Sequence, residues 1–93
     1  MRSIYVISVV TENAMRVLQR LAGIFARHRL NIEQLNVFET SNMGASLVNI
    51  VVNSDEKTIA RVINQSEKIF EVSEVKISNQ IRLNQENHPS IAA

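Results

Sequence analysis

The sequence predicts an α+β sandwich in which four strands form one antiparallel sheet and two helices cover one of its faces. Three observations carry the prediction. Residues 4–10 (I-Y-V-I-S-V-V) form a nearly continuous β-branched run, the pattern of a strand covered on both faces. Ala14, Val17, Leu18, Leu21, Ala22 and Phe25 recur at helical spacing, giving one apolar stripe that faces a core. A second amphipathic helix, followed by a last strand, then repeats the pattern after residue 53.

Each element follows from local chemistry. Thr11-Glu12-Asn13 ends the first strand, and Asn13 is expected to cap the first helix through its side chain, because an Asn oxygen can accept an orphan backbone N–H. Gly23 inside that helix is expected to mark a close helix–sheet contact, since glycine costs about 1 kcal/mol there relative to alanine. Arg27-His28-Arg29 closes the helix, with cations suited to its negative end. Residues 31–39 alternate polar and apolar, with Leu35 and Val37 between Gln34, Asn36 and Glu39. That reads as a strand with one wet side, at a sheet edge. Ser41-Asn42-Met43-Gly44 is a turn cluster, and residues 45–53 (A-S-L-V-N-I-V-V-N) complete a hairpin.

Ser54 is the expected N-cap of the second helix, with Asp55 and Glu56 favourable at its positive end. Ile59, Val62, Ile63, Ser66 and Ile69 or Phe70 make the inward stripe, and residues 72–83 supply the fourth strand. This order is the ferredoxin-like, split βαβ arrangement. Right-handed crossovers place both helices on one face, so the other face and the edge strands are left for a partner. Residues 1–83 are expected to form the domain, and residues 84–93, polar and containing Pro89, a flexible tail.

Composition excludes several function classes. Ninety-three residues fit one domain, and a chain this short has a marginal core. It has no cysteine, so neither a disulfide nor a thiolate zinc site can reinforce it. Self-association is the remaining common support. Ten basic and nine acidic residues give a net charge of +1 and no basic stripe, so no nucleic-acid partner is expected. No apolar run approaches the roughly 20 residues of a membrane span, and the N-terminus lacks signal-peptide features. A cytoplasmic location is the expectation.

Chemistry-bearing constellations are also missing. The histidines are His28, at a helix end, and His88, in the tail. Both read as solvated surface residues with no nucleophile paired to them. No His pair or Cys-x-x-Cys offers metal-ligand spacing, so neither a metal nor a cofactor is expected and no catalytic residue is assigned. The third strand carries no aromatic for stacking RNA bases. Two glycines, Gly23 and Gly44, cannot build a nucleotide-binding loop. What remains is a binding or regulatory module. Its candidate site is the start of the first helix, around Ala14 to Val17, where orphan N–H groups favour a carboxylate. Asn13 and Asn31 are expected near that end of the sheet, where an Asn side chain can pair with both groups of a free amino acid. The alternative is that Asn13 only caps the helix and Asn31 only ends a turn.

Four segments carry a family resemblance: E-N at Glu12-Asn13, V-L-x-R-L-x-G-I-F at residues 17–25, N-I-E-x-L-x-V at residues 31–37, and K-I-F-E-V-x-E-V at residues 68–75. Over residues 3–78 the chain resembles the small regulatory subunits of acetolactate synthase (acetohydroxyacid synthase), which are ACT domains. The resemblance implies a non-catalytic subunit that dimerises edge to edge into an eight-stranded sheet. It also implies docking on a large thiamine-diphosphate-dependent catalytic subunit of branched-chain amino acid biosynthesis, activation of that subunit and, in many members, feedback inhibition by valine. The alternative within the same class is a stand-alone ACT sensor regulating another metabolic enzyme.

The effector-binding positions implied by the resemblance are Asn13, Ala14, Met15, Arg16, Val17, Leu18, Asn31 and Ile32. They are expected to meet across a homodimer interface. Asn13, Asn31 and Ile32 agree with the family pattern. Arg16 stands where the family usually has glycine, which lets a ligand approach the backbone closely. Either Arg16 points outward and adds attraction for a carboxylate, or it crowds the pocket and weakens valine binding. Crowding is the favoured expectation. Many members carry a second domain that is not matched here, and short members include activators without valine control.

Overall fold

The computed structural model describes residues 2–40 and 44–83. The expected order is present: β1 (Arg2–Glu12), α1 (Ala14–Arg27), β2 (Ile32–Glu39), β3 (Ala45–Asp55), α2 (Glu56–Glu67) and β4 (Val72–Arg82). The strands form one antiparallel sheet in the order β2-β3-β1-β4. This is the ferredoxin-like fold predicted from the sequence. The turn residues Ser41 to Met43 and the proposed tail, residues 84–93, lie outside the described residues.

Strand β1 is central because both its faces are apolar. Tyr5, Ile7 and Val9 pair in register with Val52, Ile50 and Val48 of β3, and all six are buried. They lie beneath Val17, Leu21, Ile24 and Phe25 of α1 and Ile59 and Val62 of α2, in one core with Leu30, Ile69 and Val75. The alternate β1 side chains Ile4, Val6 and Val10 are half-buried and fall on the helix-free face by strand alternation. There the Ser8 hydroxyl lies 2.8 Å from Asn49 Oδ1 and 2.9 Å from Ser78 Oγ.

The α1 stripe differs from expectation at two positions. Ala22 is exposed and Ile24 is buried in its place, because Ala22 lies about 140° round the helix from Val17. Gly23 makes no close helix–sheet contact. It is exposed, and a Cβ there would meet nothing within 4 Å. After α2, Ile69 turns inward whereas Phe70 is 94% exposed. His28 is half-buried rather than fully solvated, with Nε2 3.2 Å from Gln65 Oε1.

The helix ends also correct the sequence reading. Asn13 stands at the N-cap position in the left-handed region (φ 54°), and its side chain makes no capping bond. Its carbonyl instead accepts from the N–H groups of Arg16 and Val17. Asn is one of the few non-glycine residues that tolerate this region. At the other end of α1, Leu30 N–H donates to Phe25 C=O and Arg29 N–H to Ala26 C=O, with Arg29 at φ 59°. That is a Schellman closure with arginine where glycine is usual.

Asp55, rather than Ser54, caps α2. The reason is that β3 continues through Ser54, whose side chain is fully buried. The Asp55 carboxylate accepts from the Thr58 N–H at 2.8 Å and from the Thr58 hydroxyl at 3.0 Å. These bonds hold the Asp55 carboxyl below its usual value of 3.8. A carboxyl whose pKa is depressed by folding stabilises above its unfolded pKa, and the contribution is lost as pH falls through the folded value. Asp55→Ala is therefore expected to lower the melting temperature by several degrees at neutral pH. Thermal melts should show the gap closing as pH falls below about 4; a gap independent of pH would contradict the cap.

Candidate effector site

The sheet has two edges of different character. Strand β2 is exposed along its whole length. Leu35, Val37 and Phe38 are 43%, 44% and 52% exposed, so the expected single wet side is a strand with neither side covered. Its pairing with β3 is regular from Gln34 to Glu39, with one irregularity between Ile32 and Gln34. Strand β4 is interrupted twice, between its partners Val6 and Ile7 and between Val10 and Thr11, and it carries Glu74, Lys76 and Arg82. Bulges and charges blunt an edge against further pairing; β2 carries Glu33 and Glu39, but its ladder is unbroken from Gln34 onward, where Leu35, Val37 and Phe38 are exposed. Of the two edges, β2 is the one suited to a partner strand.

The amide end of α1 lies at the C-terminal end of β1. Arg16 and Val17 spend their N–H groups on Asn13 C=O, which leaves those of Ala14 and Met15 without intrahelical partners. Met15 is 77% exposed. Val17 is buried and Leu18 half-buried, so these two site positions belong to the core side of the helix.

The α2–β4 connection is tied to the same end. Glu71 C=O accepts from Glu12 N–H and from the Thr11 hydroxyl, each at 3.1 Å. The Glu71 carboxylate lies 3.9 Å from Arg16 Nε, with the Arg16 side chain 65% exposed. An exposed pair of this kind is worth less than about 1 kcal/mol, but it indicates direction. Glu71 adjoins β4, on the side of β1 opposite β3 and β2. Arg16 therefore leans away from the β2 edge, which weighs against the crowding that the sequence favoured.

Asn13 and Asn31 do not share an end of the molecule in one chain, contrary to expectation. Ile32 is level with Val52 and hence Tyr5, whereas Glu12 is level with Ala45 and the far end of β2. At 3.3 Å per residue, the levels of Ile32 and Glu12 are separated by roughly 23 Å along the strands, with Asn31 and Asn13 just beyond them. The cause is topological: β2 runs parallel to β1, so its start lies at the opposite end from where β1 finishes. Asn31 is exposed, as is Ile32 at the strand's first position.

Among the described residues, no three His, Cys, Asp or Glu side chains converge as metal ligands. No helix among them is long and apolar enough to cross a membrane.

A βαββαβ sandwich with the strand order β2-β3-β1-β4 has the ferredoxin-like architecture of an ACT domain. The chain belongs to the acetolactate synthase small-subunit family: a family model described as an AHAS small subunit-like ACT domain matches residues 7–74. A probable acetolactate synthase small subunit from Archaeoglobus fulgidus is 41% identical over 71 residues, which are 76% of this chain and 45% of that protein. Its counterpart from Methanothermobacter thermautotrophicus is 32% identical over 72 residues, covering 77% of this chain and 43% of the relative. The solved acetolactate synthase small subunit of Thermotoga maritima superposes with a TM-score of 0.69 at 32% identity, over 80% of this chain and 46% of that one. The chain thus spans less than half the length of these relatives.

Proposed function

We propose that this chain is a non-catalytic regulatory module of acetolactate synthase, which pairs with a second copy through β2 and docks on the large catalytic subunit to raise its activity. The exposed β2 edge, with an unbroken ladder from Gln34 to Glu39 and Leu35, Val37 and Phe38 uncovered, supports the reading. Antiparallel pairing of two β2 strands about Asn36 keeps the helices of both copies on one face and sets Ile32 of one copy against Thr40 of the other. Ile32 of the second copy, with Asn31 beside it, then comes level through Thr40 and Ala45 with Glu12. The separation of the two asparagines within one chain is thereby reversed across the pair. Each complete site would combine the α1 amide end of one copy, with Asn13, with Asn31 and Ile32 of the other.

Such a site suits a free amino acid. The carboxylate would be held by the N–H groups of Ala14 and Met15 at the positive helix end. The Asn side-chain oxygens would accept from the ammonium. Valine is the effector we propose, with Arg16, held toward Glu71, flanking the site rather than filling it.

Reconstitution tests the reading. Adding the protein to its large subunit should raise specific activity several-fold, and valine should suppress that gain. No rise in activity would sink the proposal. An Arg16→Gly variant should bind valine no more than about threefold more tightly than wild type in calorimetric titration, because the arginine already leans away; a gain of tenfold or more, about 1.4 kcal/mol, would restore the crowding explanation.

A further inference from the structure

Helix α2 is flanked by two clefts of opposite charge. On its β4 side, a cleft of about 400 Å³ carries Glu56 and Glu67 and no cation. On its α1 side, a groove of about 430 Å³ carries Arg20, Arg27 and Lys68 and no carboxylate. Helix α1 contains no acidic residue at all, and no ion pair to these three cations forms among the described residues. The charges are therefore segregated rather than interspersed.

The α1–α2 groove has a defined shape. Ile24 and Ile69 form its floor, at 6% and 5% exposure. Gly23 lies between the two arginines with open space above it, so the wall is low where an alanine methyl would raise it. Arg20 and Arg27 are seven residues apart, about 10 Å along the helix axis. This accounts for Gly23 where the expected sheet contact does not.

We infer that this groove is the docking surface for an acidic segment of the large catalytic subunit, one that presents two carboxylates about 10 Å apart with an apolar side chain between them. The carboxylates meet Arg20 and Arg27, Lys68 adds charge from the opposite wall, and the apolar group sits over Gly23, Ile24 and Ile69. The inference rests on the reading that the chain docks on that subunit, and it assigns the contact to the helix layer. The β2 edge is left free for the second copy. Complementary charge of this kind acts on association rate and selectivity and is weakened by salt.

The experiment measures affinity for the purified large subunit, by calorimetry at low and high salt, for wild type and for two triple variants. One variant is R20E/R27E/K68E, and the other is the neutral R20Q/R27Q/K68Q. Sedimentation of the small chain alone reports its fold and self-association, which neither variant should alter. Charge reversal is expected to weaken binding at least about 100-fold and neutralisation about tenfold, with wild-type affinity falling at high salt. If wild type binds and both variants bind equally well, the docking surface is elsewhere and only this inference fails. If wild type does not bind the large subunit at all, the proposed function fails and takes the inference with it. A third outcome also overturns it: pyrophosphate raises the melting temperature of wild type alone while all three proteins bind the large subunit alike. The groove would then be a small-anion site.

Discussion

Replacing Leu35 and Val37 together by lysine is expected to convert the protein from a dimer to a monomer at micromolar concentration. Both side chains are already 43–44% exposed in the single chain, so the monomer fold should tolerate the change. In the proposed eight-stranded pair they approach the two-fold axis, where four added cations would face one another. Like charges opposite each other on paired strands are destabilising, and lysine is a common protection for free edges. The dissociation constant should rise at least about 100-fold. Sedimentation equilibrium measures the shift, and circular dichroism checks that the sandwich persists. A wild type that is monomeric at tens of micromolar, or a variant that still pairs tightly, would contradict a β2 interface.

Phe25→Ala should have the largest effect on folding. Phe25 is fully buried between α1 and the sheet, and its carbonyl accepts the Leu30 N–H that closes the helix. Truncating a buried phenylalanine typically costs about 3–5 kcal/mol. Domains of this size have stabilities at the low end of about 5–15 kcal/mol, so most of the margin would disappear. Urea titration should show a midpoint reduced by more than half, and the exposed Phe70→Ala should serve as a near-neutral control. A small loss at Phe25 would mean that α1 is not anchored through this ring.

The sandwich was legible because hydrophobic periodicity is a strong signal. The double-faced run in β1 and the stripes of α1 and α2 each had one geometric solution, and the placement of both helices on one face followed from handed crossovers. The misreadings arose where backbone conformation, rather than side-chain pattern, decided the outcome. Asn13 looks like a side-chain cap in any sequence, but its left-handed φ turns it into a carbonyl cap. Arg29 adopts a conformation that the sequence would assign to glycine. Ser54 and Asp55 are both good caps, and only the extra length of β3 selects the second. Gly23 was read as serving the sheet, whereas it borders a groove between helices.

The candidate site was only partly legible. Chemistry singled out the amide end of α1 and the two asparagines, and the structure provides that exposed end. The opposed placement of Asn13 and Asn31 depends on β2 running parallel to β1, which no local window of sequence contains. Glu71 went unnoticed as the partner of Arg16 because the two are joined only through the α2–β4 connection.

The opposed asparagines carry a consequence for how such a sensor would report. In the proposed pair, each molecule would offer two halves of different sites and no whole one. Responsiveness to an amino acid would then require two copies to meet, so dilution alone would silence it. A mixed pair, one chain damaged at residue 13 and the other at residue 31, would retain one undamaged site out of two. Under that proposal, intersubunit complementation would follow from the path of the strands.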